Sequence, residues 1–173
     1  MNTAWTVYES PLGPLTLIGG PSGPSALRFP GHGFPLNEAH RKPEAFATVV
    51  VQLDEYFAGT RTEFDLPLDL GGSAFQRRVW GQLRAIPYGK TLSYAGIANA
   101  IGRPDRVRAA AAAIGKTPIP IIIPCHRAIA TNGDLTGYLG GLDRKQALLA
   151  LEEATCRRDP PPAVWAHRQL SLV

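Results

Sequence analysis

Glycine and proline punctuate this chain more than anything else in it. Together they supply 34 of its 173 residues, 18 Gly and 16 Pro. One residue frees the backbone and the other locks it, so many turns and short elements are implied. The length leaves room for one ordinary domain or two small ones. An apolar fraction of 45% with 18% charged residues supports a packed core and excludes wholesale disorder. No run of 18 apolar residues occurs, so no membrane helix is expected. The first ten residues lack a basic end followed by an apolar stretch, so no signal peptide is expected and the reading is cytoplasmic. Two cysteines, Cys125 and Cys156, cannot make a disulfide scaffold.

The punctuation separates two modules. Residues 6–10 and 15–18 read as strands, with a hairpin turn at 11–14. Residues 21–42 read as loop, with one strand at 26–29. Phe46, Val49, Val50, Leu53, Tyr56 and Phe57 recur at threes and fours, which predicts an amphipathic helix ended by Gly59. Residues 64–70 alternate like a strand, confined to an edge by Pro67, and Gly71-Gly72 reads as a linker. The first module is thus a small α/β unit over residues 1–72.

The second module spans residues 73–156. Ser73 is a fitting N-cap for a helix over 74–86 with Phe75, Val79, Leu83 and Ile86 as its apolar stripe. Residues 87–90 form a turn. Ser93 caps a short helix whose inner face is Tyr94, Ile97, Ala98 and Ile101. After the break at Gly102-Arg103-Pro104 come Arg106, Arg108 and five alanines, 109–113, so two short helices make a helix-turn-helix candidate. Residues 119–124, apolar and bounded by prolines, read as a buried extended segment ending at Cys125. Asp143 is the expected cap of a last helix with Ala147, Leu148 and Leu151 inward. A Pro-rich tail, residues 157–173, is expected to leave the fold.

The charge is divided unevenly. Residues 75–158 hold 13 Lys/Arg against 5 Asp/Glu, a balance of +8, and the rest of the chain carries −4. A basic half suits a polyanion, of which nucleic acid is the commonest, and is also compatible with a plain solvated surface. Within that half lies Cys125, flanked by His126 and Arg127, neighbours that favour a thiolate. A thiol nucleophile needs a proton acceptor, for which His126 is nearest, and the imidazole needs a carboxylate to orient it, for which Glu152 is well placed. Cys156 has no such setting. The cysteines and histidines lack metal-ligand spacing, and no Gly-rich phosphate loop is present, so no metal or cofactor is expected.

The segment Ile121-Ile122-Ile123-Pro124-Cys125-His126-Arg127 resembles the active-site signature of the O6-alkylguanine-DNA alkyltransferases, the methylated-DNA–protein-cysteine methyltransferases. The likeness extends through Phe75–Trp80, Ile86-Pro87-Tyr88-Gly89, Ser93-Tyr94, Arg108-Ala109, Pro118, Gly137-Tyr138, Gly140-Gly141-Leu142 and residues 145–152. The resemblance implies a ribonuclease-H-like α/β domain followed by a mostly α, winged helix-turn-helix DNA-binding domain that holds the nucleophile. It implies a monomer that binds duplex DNA containing O6-alkylguanine, flips the base out, and takes the alkyl group irreversibly onto Cys125, with no membrane partner. By the same resemblance, His126 takes the thiol proton through a water and is held by Glu152. Tyr94 faces the flipped base and protonates the leaving guanine, Arg108 fills the gap in the duplex, and Tyr138 lines the pocket. Ser93, Arg103 and Thr131 fall at DNA-contacting positions.

The chain departs from that family at three places. Thr117-Pro118 stands where Asn-Pro is usual, eight residues before Cys125. One hydroxyl cannot replace both the donor and the acceptor of an amide, so a looser link between recognition helix and active site is expected. Ala110-Ala111 replaces Val-Gly, and Leu139 replaces a small residue or Ser. Three other classes fit the residues less well. A non-enzymatic damage sensor would lack the cysteine, a cysteine hydrolase would need an oxyanion hole, and a transcriptional sensor would need an additional zinc domain.

Overall fold

The computed structural model describes residues 3–32 and 36–159. The chain divides into two compact units. One holds the chain up to Gly71 together with Pro118–Ile122, and the other holds Gly72–Thr117 and the chain from Ile123 onward. The short return of Pro118–Ile122 to the first unit is not visible in the residue pattern.

In the first unit β1 (Ala4–Ser10), β2 (Gly13–Gly20) and β3 (Gly23–Arg28) form an antiparallel meander in the order β1-β2-β3. Ser10 pairs with Gly13, whose φ of 97° lets the two-residue turn close. Both faces of the sheet carry apolar side chains. Tyr8, Leu15, Leu17 and Leu27 lie on one, and Trp5, Ile18 and Ala26 cluster on the other. Helix α1 (Ala47–Phe57) follows a 3-10 turn, Pro43–Phe46, and buries Val49, Gln52, Leu53 and Tyr56. Gln52 was no part of the expected apolar stripe, yet it is buried. Its amide donates to the Asp65 carbonyl at 2.8 Å and its oxygen accepts from the Asp65 N–H at 2.9 Å. Residues 64–70 are not a strand: the Gln52 side chain holds the Asp65 backbone, and the Asp69 N–H donates to the Pro24 carbonyl of β3 at 3.0 Å.

The segment expected to be extended at 119–124 is buried but turned. A turn at Ile121-Ile122 interrupts it, and Ile121 sits at φ 76°. That is a strained position for a β-branched residue. Within the same unit, the Pro118 carbonyl accepts from the Leu27 N–H at 2.9 Å.

The second unit is mostly helical. Helix α2 (Ala74–Arg84) starts on Ser73 with a capping box closed by Gln76, and buries Val79, Trp80 and Leu83. Strand β4 (Leu92–Ser93) pairs in parallel with β5 (Ala128–Ile129). Ser93 also caps α3 (Tyr94–Ala100), its hydroxyl accepting from the Gly96 N–H at 2.9 Å. Helix α4 (Val107–Ile114) packs against α2 and α3 through Ala110, Ala113 and Ile114. The Trp80 indole N–H donates to the Ala113 carbonyl at 2.9 Å. Arg108, Ala109 and Ala112 stay exposed, so the alanine run serves the core on one side and leaves a bare surface on the other.

Helix α5 (Leu142–Arg158) differs from expectation at both ends and on its inner face. Gly141 at φ 87°, not Asp143, precedes it, and it continues through Arg158, the second residue of the expected tail. Its buried residues are Lys145, Leu148, Glu152 and Thr155, whereas Ala147 is exposed. The remainder of the expected tail lies outside the described residues. Among the described residues, no helix is long and apolar enough to cross a membrane.

Candidate active site

Pro124 ends the turned segment, and Cys125–Arg127 form one turn of 3-10 helix whose three side chains are all buried. A 3-10 turn rotates successive side chains by about a third of a circle, so the three neighbours leave the backbone in different directions, and two of them bend to one partner. His126 and Arg127 converge on Glu152 of α5. The His126 Nε2 lies 2.8 Å from Glu152 Oε1, and Arg127 donates from Nε and Nη2 to both carboxylate oxygens at 2.9–3.2 Å. Arg127 Nη1 also donates to the Ile86 carbonyl at 2.6 Å, and the Gly89 N–H donates to Glu152 Oε2 at 2.9 Å.

These contacts set the charge states. Burial works against ionisation of Glu152, but the hydrogen bonds of His126 and Arg127 and the Arg127 charge outweigh it, and its carboxyl is held down at about 2. Burial also lowers the His126 pKa, opposed by Glu152. A carboxylate can only accept, so the neutral imidazole gives its N–H from Nε2 and carries its lone pair on Nδ1. Nδ1 is buried and has no protein hydrogen bond among the described residues.

Cys125 is 4% exposed, and burial pushes its thiol up to about 12. The Thr117 hydroxyl, the Lys145 ammonium and the backbone N–H groups of Cys125 and His126 act in the opposite direction. This corrects the expectation that Arg127 favours the thiolate. The Arg127 guanidinium is committed to Glu152 and Ile86, and the cation that acts on Cys125 is Lys145. Sequence reasoning gave Lys145 no role. The signal was its place one turn before Leu148 and two before Glu152, on the same helix face.

Thr117, buried just beyond α4, donates from its hydroxyl to the Ile114 carbonyl at 2.7 Å. It therefore joins the end of α4 to the environment of Cys125. Tyr138 presents its ring edge-on to His126, centroids 6.5 Å apart, and burial raises its phenol further from ionisation, as do Cys125 and Glu152. The Tyr94 hydroxyl donates to the Thr136 carbonyl at 2.9 Å. The remaining expected contact residues lie at the surface or beside it. Arg108 is exposed on α4, Arg103 pairs with Asp105 at 3.3 Å, and Thr131 is exposed in the turn before Asp134. Ser93 is occupied as the α3 cap. Cys156 is half-buried against Tyr88 and Gly89 and is no part of this cluster.

A buried thiol beside an imidazole held by a carboxylate is an arrangement that can generate a sulfur nucleophile, here within the helical unit that also carries a bare, Arg-bearing helix. Residues 74–154 match the DNA-binding domain of 6-O-methylguanine DNA methyltransferase, and residues 3–70 match the ribonuclease-like domain of the same family. A methylated-DNA–protein-cysteine methyltransferase from Mycolicibacterium paratuberculosis is 51% identical over 162 residues, 92% of this chain and 96% of that protein. The crystal structure of the Mycobacterium tuberculosis O6-methylguanine methyltransferase superposes with a TM-score of 0.82 at 46% identity, covering 95% of this chain and 99% of the other. That of Mycobacterium tuberculosis OGT in complex with DNA gives 0.81 at 49%, covering 88% and 94%. The chain belongs to the 6-O-methylguanine DNA methyltransferase family.

Proposed function

We propose that this protein repairs duplex DNA by moving the alkyl group of O6-alkylguanine onto Cys125, once per molecule. The observation that carries the reading is the His126–Glu152 contact of 2.8 Å behind a buried cysteine. The relative solved with DNA supports the choice of polymer.

An alkyl group on guanine O6 is out of reach within the stack, so the nucleotide is flipped out, at about a few kcal/mol. The helix-turn-helix of α3 and α4 enters the minor groove, where the small side chains of Ala109 and Ala112 permit close approach. Arg108 fills the space the base leaves, and Arg103, Thr131 and Ser93 contact the backbone near it. Tyr138 lines the pocket.

The Cys125 thiol is protonated at rest, so its proton must leave as it attacks. The lone pair of His126 Nδ1 takes it through a water, and Glu152 stabilises the imidazolium. Sulfur then displaces O6 at the alkyl carbon. The S–C bond forms, the C–O6 bond breaks with its electron pair going to guanine, and the Tyr94 hydroxyl supplies a proton to the ring. For this Tyr94 must give up the Thr136 carbonyl. The thioether is a poor leaving group, and no second nucleophile lies beside it in the cluster described above, so the protein is consumed.

Intact-protein mass spectrometry after incubation with a duplex containing O6-methylguanine tests this. One methyl on Cys125, absent in Cys125→Ser, is expected. Methylation at Cys156, or an equally reactive serine variant, refutes it.

A further inference from the structure

One short stretch of chain grips the Arg127–Glu152 pair at both ends. Residues 86–89 lie between α2 and β4. The Ile86 carbonyl accepts from Arg127 Nη1 at 2.6 Å, and three residues later the Gly89 N–H donates to Glu152 Oε2 at 2.9 Å. Between those two contacts the Tyr88 ring centre lies 5.5 Å from the Arg127 guanidinium carbon. His126 and Arg127 stand on the same 3-10 turn and both bind Glu152, so their contacts alone let turn and carboxylate shift together. Gly89 belongs to a different part of the chain, and its N–H fixes the carboxylate against that shift. A backbone donor also brings no side-chain torsion that must be ordered. The contact requires glycine. Gly89 sits at φ 70°, in the left-handed region that glycine enters at little cost. A Cβ at this position would overlap Cys156 Sγ, whereas its next neighbours, Cys156 Cβ at 3.5 Å and the Glu152 carbonyl oxygen at 3.6 Å, would be ordinary contacts. Cys156, four residues after Glu152 on α5, is thus the wall that leaves no room for a side chain at 89.

We propose that residues 86–89 are a positioning element for the proton acceptor of Cys125, with Gly89 as the positioning residue: by fixing Glu152 Oε2 it keeps Oε1 on His126 Nε2, and so keeps the imidazole lone pair on Nδ1. This deepens the reading of His126 as the acceptor of the thiol proton and rests on it for the DNA reaction, but the hold on the imidazole exists without DNA. Gly89 touches no reacting atom and acts through Glu152.

The experiment compares wild type with Gly89→Ala, Cys156→Ala and the variant carrying both. Without DNA, the ring-nitrogen chemical shifts of His126 report which nitrogen carries the proton, its signals being assigned by their loss in His126→Gln. Single-turnover methyl transfer from an O6-methylguanine duplex over a range of concentrations gives a maximal rate and a half-saturating concentration, and thermal denaturation gives the stability. Gly89→Ala is expected to move His126 away from the Nε2–H form and to lower the maximal rate about tenfold, the effect of losing one hydrogen bond to a charged group, with half-saturation unchanged. Cys156→Ala is expected to react as wild type does. In the double variant the added methyl group no longer meets sulfur. It is expected to regain most of the rate and the wild-type His126 shifts, while melting below Cys156→Ala because alanine remains at a left-handed φ. Recovery of rate without recovery of stability separates positioning from folding. If Gly89→Ala does not fold, Gly89→Asn, which tolerates that φ better, replaces it under the same criteria. Wild-type rate in Gly89→Ala overturns the proposal, as do a slow Gly89→Ala with wild-type His126 shifts and a double variant no faster than Gly89→Ala. Absence of methyl transfer by wild type would instead defeat the proposed function and leave the His126 shifts to judge Gly89.

Discussion

Helices α1 and α5 each bury a polar residue among apolar ones, and they do so for different reasons. In α1 the residue is Gln52, neutral and matched on both its amide atoms by the Asp65 backbone. It does the work of a missing strand. In α5 the buried residues include Lys145 and Glu152, two ions. Burying ions costs several kcal/mol each before pairing, and well-packed apolar residues often serve stability as well or better. A helix that serves packing alone resembles α1. The inner face of α5 holds His126 and Arg127 through Glu152, and the Ala128 and Thr136 carbonyls through Lys145.

The largest expected contrast sets Glu152→Gln against Gln52→Ala. Glu152→Gln leaves Arg127 buried without its carboxylate and is expected to destabilise by about 3–5 kcal/mol. It also weakens the hold on His126, so transfer is expected to slow by about a hundredfold or more. Gln52→Ala strands the Asp65 N–H and carbonyl at about 1–3 kcal/mol, with no change in transfer rate. Chemical denaturation and single-turnover kinetics read both. A slow Gln52→Ala protein, or a Glu152→Gln protein that reacts at the wild-type rate, would dissolve the distinction between the helices.

The pH dependence sharpens it. Glu152 and His126 both have folded pKa values below their ordinary ones. The unfolded chain therefore binds more protons on acidification, and stability falls as pH drops. The His126 part begins near its ordinary value of 6.5, and the Glu152 part is lost from 4.5 down to about 2. Cys125 acts at the other end. Its raised thiol contributes stability below its ordinary value of 9.0, and that contribution is lost as pH rises towards about 12. Melting temperatures against pH are expected to show a shallower acid limb in Glu152→Gln and a shallower alkaline limb in Cys125→Ala. Gln52→Ala should lower the whole curve without changing either limb.

A smaller effect is expected at Thr117. Thr117→Val keeps the volume and loses the hydroxyl that donates to Ile114, at about 1 kcal/mol, and with it a group that favours ionised Cys125. Thr117→Asn places an amide where the single hydroxyl is already satisfied, and a loss of stability is the expected outcome. Faster transfer by Thr117→Asn with an undiminished melting temperature would show instead that the threonine leaves α4 loosely linked to the site. The smallest effect belongs to Ala147→Gln. Ala147 is exposed, so a change within about 0.5 kcal/mol is expected. A larger loss in thermal denaturation would return Ala147 to the inner face that sequence periodicity assigns it.

Much of the framework is legible in the residues. Ser73 and Ser93 cap α2 and α3 where the chain pattern places them, and the hairpin expected at 11–14 closes one residue earlier, between Ser10 and Gly13. The same holds for Cys125, His126 and Glu152 as a candidate group, since their residue types and the Pro-Cys-His-Arg signature are local facts. Apolar periodicity misses the inner face of α5 because it finds greasy stripes, and this stripe is half ionic. The turn at Ile121 is invisible in the residues because β-branched side chains argue for extended backbone, and only surrounding packing can hold one at φ 76°.

By itself, then, the sequence determined the caps at Ser73 and Ser93, the first hairpin and the signature around Cys125, because those depend on interactions spanning a few residues. Tertiary structure decided where the charges go. Arg127 is adjacent to Cys125 in the chain, yet its guanidinium is fixed on Glu152, 25 residues away. Lys145 is 20 positions from Cys125 in the sequence and is the cation that acts on its thiol. Coulomb interactions follow distance through space and the exclusion of water, and neither is written in the order of residues along the chain.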